Sequence, residues 1–375
     1  MKLVRHPLIS PAPGTQRELV SLHYGQPGGP SSTGKAYIQA SLHGDELPGM
    51  LVAHHLRLQL DALEAAGQIT GEIVLVPMAN PIGISQFVLH AHLGRFELTT
   101  GENFNRHYPD QIDAVAAAVE PQLGNDAKAN VGVLRRALKA AVEAAPVDTE
   151  LQSQRRQLMA LSCDADIVLD LHCDAQALMH LYTETPCWPD CEPLAAFLGS
   201  RLTLLAQDSG DNPFDEACSQ VWWKWAKHFG SRFPIPQACL SVTVELRGAA
   251  DVTHELASAD AKNIIDFLRW RGLIAGDKPA VPRAVGDARP LAGSMPIKSP
   301  VAGVLTFVKE VGAEVLAGEV LAHVIDPITA RVTELTSPVD GLFFARDFLR
   351  FANAGMRVAK VAGRDAIRTG KLLGA

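Results

Sequence analysis

From residue 18 to about residue 275, short apolar runs alternate with longer stretches in which apolar residues recur every three or four positions. That alternation marks an α/β domain, with helices packed on the faces of a sheet. The apolar runs predict strands near 18–24, 35–42, 72–79, 166–171, 177–183 and 239–246. Between the second and third of these, PGMLVAHHLRLQLDALEAAG predicts a helix, because Pro48 suits a first turn and Gly67 can supply a left-handed C-terminal cap. Further helices are expected at 131–145, 192–206, 215–229 and 258–272. The helix at 131–145 carries Leu134, Leu138, Ala141 and Val142 on one face and reads as a packing helix.

At 276–298 the texture becomes dense in Pro, Gly and charge, which marks a linker and divides the chain into units of 1–285 and 286–375. Beyond it, SPVAGVLTFV at 299–308 recurs in altered form as SPVDGLFFAR at 337–346, an offset of 38 residues. Two copies rich in β-formers, with Gly turns between them, predict a small pseudo-symmetric all-β barrel or sandwich. The unit resembles the biotinyl/lipoyl carrier-domain fold. That family modifies a lysine on the hairpin between its halves, and the corresponding DPITARVTEL has none, so the resemblance implies shape without a swinging-arm cofactor.

The chain has 375 residues, 47% of them hydrophobic and 20% charged, enough to bury a sizeable core. Lys+Arg 34 against Asp+Glu 41 gives a net charge of -7, the wrong sign for a protein whose main partner is nucleic acid. The N-terminal MKLVRHPLISPAPG lacks an apolar run and is interrupted by prolines, so it reads as neither secretory signal nor anchor, and no membrane-spanning run follows. Six irregularly spaced cysteines do not make a disulfide framework, and Cys187 and Cys191 lack a second pair with which to hold zinc. A cytoplasmic location with reduced thiols is expected.

The chemistry begins at SLHGDELPG, where His43 and Glu46 stand three apart between a strand and a helix start. Alone, the pair reads equally as a turn histidine and a glutamate favoured by the helix dipole. The strand DIVLDLH then ends in Asp170 and His172, and His172 lies 126 residues beyond Glu46. Two nitrogens and one carboxylate are a catalytic rather than a structural zinc set, because a coordination position stays open. Asp170 shares a strand face with His172 and can orient a ligand, or else pair with a nearby helix N-terminus or lysine. Cys173 points the other way and reads as a small buried residue. In the polar loop TTGENFNRHYP, beside Asn103, Arg106 offers a planar fork for a substrate carboxylate, Asn105 a second donor, and Arg95 upstream a charge near the metal. Finally, Glu245 interrupts the apolar strand CLSVTVELRG; it reads as a general base beside the metal, or as the partner of Arg247 on the same strand face.

HGDE, NFNR, DLH and VELRG stand in the order and approximate spacing of the succinylglutamate desuccinylase/aspartoacylase family, a branch of the zinc carboxypeptidase superfamily, which residues 35–272 resemble. The C-terminal β unit is similar to the appended domain of bacterial members. The resemblance implies a zinc-carboxypeptidase-like mixed sheet of eight strands flanked by helices, one zinc ion per subunit, and hydrolysis that removes a short acyl group from a small N-acyl amino acid. By position it makes His43, Glu46 and His172 the zinc ligands, Glu245 the general base, Asn105 and Arg106 the carboxylate-binding pair, and Arg95 the arginine that stabilises the oxyanion. It also points to Tyr182, since superfamily members often use a tyrosine there. A metallocarboxypeptidase acting on peptides or cell-wall fragments needs the same residues, and a binding or scaffold protein would keep them as a vestige. Segments 111–165 and 184–238 are candidates for the pocket rim, although Trp222, Trp223, Trp225 and Phe229 read as packing. The β unit is expected either to restrict the site or to offer a homo-oligomer interface.

Overall fold

The computed structural model describes residues 1–26 and 33–373. The chain opens with β1 (Lys2–Pro7), β2 (Glu18–Gly25), β3 (Lys35–Ala40), α1 (Pro48–Ala65), β4 (Glu72–Val76), a hairpin of β5 (Phe87–Val88) and β6 (Ala91–His92), and the helices α2 (Ile112–Val119), α3 (Ala127–Ala144) and α4 (Glu150–Ser162). There follow β7 (Ile167–Asp174), β8 (Gln176–Ala177), β9 (His180–Glu184), α5 (Trp188–Leu198), β10 (Leu202–Ala206), α6 (Phe214–Phe229), β11 (Leu240–Gly248), α7 (His254–Trp270) and β12 (Asp287–Pro290). Among the described residues, nine strands form one mixed sheet in the order β1-β2-β4-β3-β7-β11-β9-β10-β12. The implied number was eight; β12, from the Pro-rich stretch after α7, adds in parallel to β10.

Helices cover both faces of this sheet, so its central strands are buried on both sides. On one face α1, α5 and α7 bring Leu56, Phe197 and Phe267 against Leu169 and Leu171 of β7. On the other, α3, α4 and α6 bring Leu138, Leu158, Trp222 and Trp225 against Val168. Trp222 and Trp225 are fully buried and meet edge to face, ring centroids 5.4 Å apart, which is packing rather than recognition. The helix expected over 192–206 is instead α5 followed by β10. Gly199, at φ 66°, caps α5 in the left-handed conformation, and the apolar LTLLA, whose period does not distinguish strand from helix, pairs with β9. The strand expected over 177–183 divides likewise into β8 and β9. No helix among the described residues is long and apolar enough to cross a membrane.

The C-terminal unit contains β13 (Ser294–Lys298), β14 (Gly303–Phe307), β15 (Glu314–Val315), β16 (Val320–Ile325), β17 (Val332–Thr336), β18 (Gly341–Arg346), β19 (Phe351–Ala352) and β20 (Arg357–Ala362). Its sheets run β13-β20-β18-β15 and β17-β16-β14-β19, and β8 of the larger unit adds to β18. An offset of 38 residues carries β13–β16 onto β17–β20 to within about one residue, and thereby carries each sheet onto the other. The two SPV turns are built alike: Ser299 Oγ donates to Val301 O and Ser337 Oγ to Val339 O, both at 2.6 Å. The glycine that follows each turn is pressed onto a carbonyl. A Cβ on Gly303 would lie 2.5 Å from Ile325 O, and one on Gly341 2.2 Å from Ala362 O.

Candidate functional site

Strands β3, β7 and β11 are parallel neighbours, so their carboxyl ends open on one edge of the sheet, where loops hold binding groups in α/β folds. Ser41, a buried residue at φ 63°, turns the chain out of β3 into the HGDE loop. At the end of β11, Arg247 sits at φ 68°, beside a bulge between Glu245 and Gly248. Strain of this kind gathers where a fold must re-aim functional side chains. The HGDE loop is pinned from outside by Gly44 N donating to Gly94 O at 2.9 Å. Only glycine fits at Gly94, because a Cβ there would lie 2.2 Å from Asp45 N. That close approach delivers Arg95 to the site, with Nη1 3.1 Å from Glu46 Oε1 and 3.3 Å from His43 Nδ1.

His43, Glu46 and His172 are all buried, and one ligand atom from each lies within 4.8 Å of the others. His43 Nδ1 is 2.8 Å from Glu46 Oε1, and His172 Nδ1 is 2.7 Å from Glu46 Oε2. The far nitrogen of each ring is also held. Asn103 Oδ1, which accepts from Asn105 N at 2.8 Å, stands 2.9 Å from His43 Nε2. An amide oxygen only accepts, so Nε2 carries the proton and Nδ1 turns its lone pair toward a carboxylate that also only accepts. Arg95 Nη1 stands against both of these acceptors, and the His43–Glu46–His172 donor set fits a divalent first-row ion. Asp170 stands on the far side of His172, with Oδ2 2.9 Å from Nε2 in an ion-pair contact without hydrogen-bond geometry, and its Oδ1 accepts from Gln39 Nε2 at 2.9 Å. Burial works to lower the His172 pKa, yet Asp170 and Glu46 hold it well above the imidazole range. Burial likewise opposes ionisation of Glu46, which His43 and His172 nevertheless hold well below the carboxylate range. Cys173, buried as expected, contributes its backbone N–H to Glu46 Oε2 at 3.1 Å.

Glu245 is the register partner of His172 across the β7–β11 pair. Its Oε2 is buried without a hydrogen-bond partner, and burial, reinforced by the charges of Glu46 and Asp174, pushes its pKa up to about 8. The ion pair to Arg247 is not formed, because the bulge breaks the alternation and the Arg247 guanidinium reaches Asp260 on α7. Arg106 is buried on the wall of the same pocket, its Nη1 donating to Asn105 O at 2.6 Å. Asn105 also lines it, while its Oδ1 accepts from Phe214 N at 2.8 Å and ties the loop to the start of α6.

The residues to which the resemblance assigns roles meet in one place: His43, Glu46, Arg95, Asn105, Arg106, His172 and Glu245 all line a single pocket, as does Tyr182, while Asp170 stands behind His172 outside the lining. Segment 184–238 supplies part of its wall through Ser209, Pro213, Asp215 and Glu216, whereas 111–165 supplies none. The helices of that second segment act from behind, Arg155 of α4 donating to Asn103 O at 3.0 Å. Sequence reasoning missed Asp215 and Glu216, since acidic residues in a first helical turn are ordinary dipole partners. It also missed Arg357 and Lys360 of β20, which line the pocket from the C-terminal unit. Lys360 pairs with Asp174, two residues beyond His172. Tyr182, Arg357 and Lys360 stand between this pocket and a wider cavity of about 830 Å³, lining both.

Residues 32–144, which contain HGDE and NFNR, match the model of the succinylglutamate desuccinylase/aspartoacylase catalytic domain. A succinylglutamate desuccinylase/aspartoacylase family protein from Shewanella amazonensis is 26% identical, covers 96% of this chain and 98% of its own, and superposes with a TM-score of 0.84. A second, from Shewanella frigidimarina, is also 26% identical over 96% of each chain, with a TM-score of 0.83. An ectoine utilization protein from Ruegeria pomeroyi, 17% identical over 96% of this chain and 93% of its own, shares the fold at a TM-score of 0.66. No curated protein sequence matches the chain. The similarity is thus to a family of hydrolytic deacylases, and the mixed α/β fold is theirs.

Proposed function

We propose, from a chain that carries the succinylglutamate desuccinylase/aspartoacylase catalytic-domain match over residues 32–144, that this protein is a zinc-dependent deacylase of small N-acyl amino acids. The observation that carries the reading is the pairing in register of Glu245 with His172, beside the His43–Glu46–His172 donor set and in one pocket with Arg106. His43 and His172 through Nδ1, and Glu46 through its carboxylate, would hold one ion per subunit. Such an ion supplies Lewis acidity toward a scissile carbonyl and acidifies water.

The chain's own residues supply the rest. Arg106, with Asn105 beside it, receives the substrate carboxylate and fixes the amide relative to Glu245. Glu245 takes the proton of the attacking water and returns it to the leaving nitrogen. The water oxygen bonds to the carbonyl carbon, the C–N bond breaks, and a carboxylic acid and an amine are formed. Arg95 donates to the oxygen on which negative charge develops. Asn103 and Asp170 keep the imidazoles oriented.

A peptidase needs the same chemistry but an unobstructed approach, and here Arg357 and Lys360 of the C-terminal unit stand in the pocket wall, which favours a short substrate. We read that unit as a biotinyl/lipoyl-like fold used as a wall rather than as a carrier. The turn between its halves, Asp326 to Arg331, contains no lysine.

The test is release of free amine from N-acetyl, N-succinyl and N-formyl amino acids, by protein as purified, after chelation and after zinc return. Turnover lost on chelation, restored by zinc and abolished by Glu245→Gln supports the deacylase. Silence across the panel from protein holding stoichiometric zinc overturns it in favour of peptides.

A further inference from the structure

We propose that the cavity between α4, the end of α3 and the loop after Arg106 is a second small-molecule site, built for an aliphatic monocarboxylate, whose occupant loosens the candidate metal centre through Arg155. Binding there is independent of the deacylase reading, because it is measured without metal or substrate.

The cavity measures about 210 Å³ and shares no lining residue with the catalytic pocket. Gln152, Arg155, Arg156 and Met159, spaced i, i+3, i+4 and i+7, bring one face of α4 to it. Val142 from the last turn of α3 and Val147 from the connecting loop also line it, as does His107, which follows Arg106 in the chain. Val142 and Met159 are 5% and 3% exposed, so part of the lining is apolar and otherwise withdrawn from water. A surface of that kind holds water poorly and favours a hydrocarbon chain.

The charge at the cavity fixes the other end of the ligand. Its lining carries two guanidiniums and an imidazole but no carboxylate. Arg155 is buried and already compensated: Nη1 donates to Glu102 Oε2 at 2.8 Å and Nη2 to Asn103 O at 3.0 Å, while Nε has no partner. Arg156 is half-buried, its Nη1 donates to Ala145 O at 3.1 Å, and its guanidinium forms no ion pair among the described residues. Capping the end of α3 uses one of its N–H groups and leaves its charge unmatched. One uncompensated guanidinium calls for one negative charge, and its planar fork matches a carboxylate, whose two oxygens accept in parallel. Arg155 also connects the cavity to the metal ligands, since the Asn103 carbonyl it holds belongs to the residue whose Oδ1 stands 2.9 Å from His43 Nε2. A carboxylate beside Arg155 competes with Asn103 for its donors and so relaxes the group that orients His43.

Titration calorimetry of hexanoate into the chelator-treated full chain tests the site, beside hexanol, its neutral counterpart, and inorganic phosphate. We expect saturable binding of hexanoate, about tenfold or more tighter than that of hexanol or phosphate. Arg156→Gln, which keeps a donor for Ala145 O, should remove that advantage, as should Val147→Trp, which fills the cavity and leaves both arginines in place. Arg106→Ala, aimed at the catalytic pocket, should leave it unchanged. No saturable binding up to about 10 mM, equal binding of hexanol or phosphate, or binding lost in Arg106→Ala and kept in Arg156→Gln overturns the site. Competition for zinc with a chelator of known affinity reads the connection to the metal ligands. Hexanoate should weaken zinc affinity about fivefold in the parent protein and not in Arg156→Gln. Unchanged zinc affinity, or an equal change in the variant, overturns that connection.

Discussion

Glu245 of β11 and His172 of β7 are register partners on adjacent parallel strands, so a buried carboxyl and a candidate metal-ligating imidazole leave the sheet side by side. Parallel register puts both side chains on one face. The proposed role of Glu245 as base thus rests on strand register rather than on side-chain reach.

Glu245→Gln should lower kcat/KM by roughly 10²–10⁴-fold without loss of bound metal, because it removes proton transfer and little else. The working form is the carboxylate, whose pKa burial pushes up to about 8 and a bound cation brings down. Activity should therefore rise with pH along a limb centred at or below about pH 8. A pH profile in which the variant's residual activity keeps that limb would assign it to another group.

Asn103→Ala leaves all three candidate ligands in place but frees the far nitrogen of His43. Metal affinity should drop by about 10–100-fold, as is typical when such an orienting partner is lost. Competition with a chelator of known affinity measures it, and unchanged affinity would mean that the ring is oriented by packing alone.

Arg95→Ala should reduce kcat by roughly 10²-fold with little change in KM, since the guanidinium beside Glu46 is placed for charge that develops only during reaction. Arg106→Ala should act mainly on KM. Interchanged effects would reverse the two assignments.

The metal-free protein should lose stability as pH rises. Asp215 and Glu216 keep their protons to about 6 and about 8 in the fold, Glu245 to about 8, and His172 is also raised. Between the unfolded carboxylate range near 4 and those values the native state binds more protons than the unfolded chain. The resulting stabilisation is whole below about pH 4 and is lost as pH climbs through about 6 and then about 8. Glu46 and Asp174, both lowered, act with the opposite sign but only at acid pH. His180, lowered to about 4, and His43, also lowered, act with the opposite sign up to about pH 6.5, so melting temperature should fall between roughly pH 7 and pH 9, and less steeply in Glu216→Gln. A flat profile would contradict the placement of these carboxyls.

Lys360→Ala removes the ion pair that ties β20 to the end of β7 and leaves Asp174 without that partner. A loss of about 1–3 kcal/mol is expected in chemical denaturation. Its absence would show that the C-terminal unit is held by the β8–β18 pairing and apolar contacts alone.

Most of the site was legible because its groups sit where strands end, and local pattern locates strand ends. HGDE follows β3, His172 lies near the end of β7 and Glu245 near the end of β11, each marked by a polar residue interrupting an apolar run. What failed was arbitration between periods. LTLLA serves a strand or a helix equally, and only its pairing with β9 decides. The nearness of Arg247 to Glu245 was misjudged because alternation assumes a regular strand, and a bulge is a property of the pair.

The sequence by itself determined the α/β class, the repeated β unit, and which imidazoles and carboxylates were available, because these follow from side-chain chemistry and short-range periodicity. The tertiary structure alone decided their company. It set Asn103 behind His43, brought Lys360 across 186 residues to Asp174, and turned Asp215 and Glu216 from helix-start residues into a pocket wall. Burial, desolvation and hydrogen-bond partnership depend on elements distant along the chain, and no local pattern encodes where those come to rest.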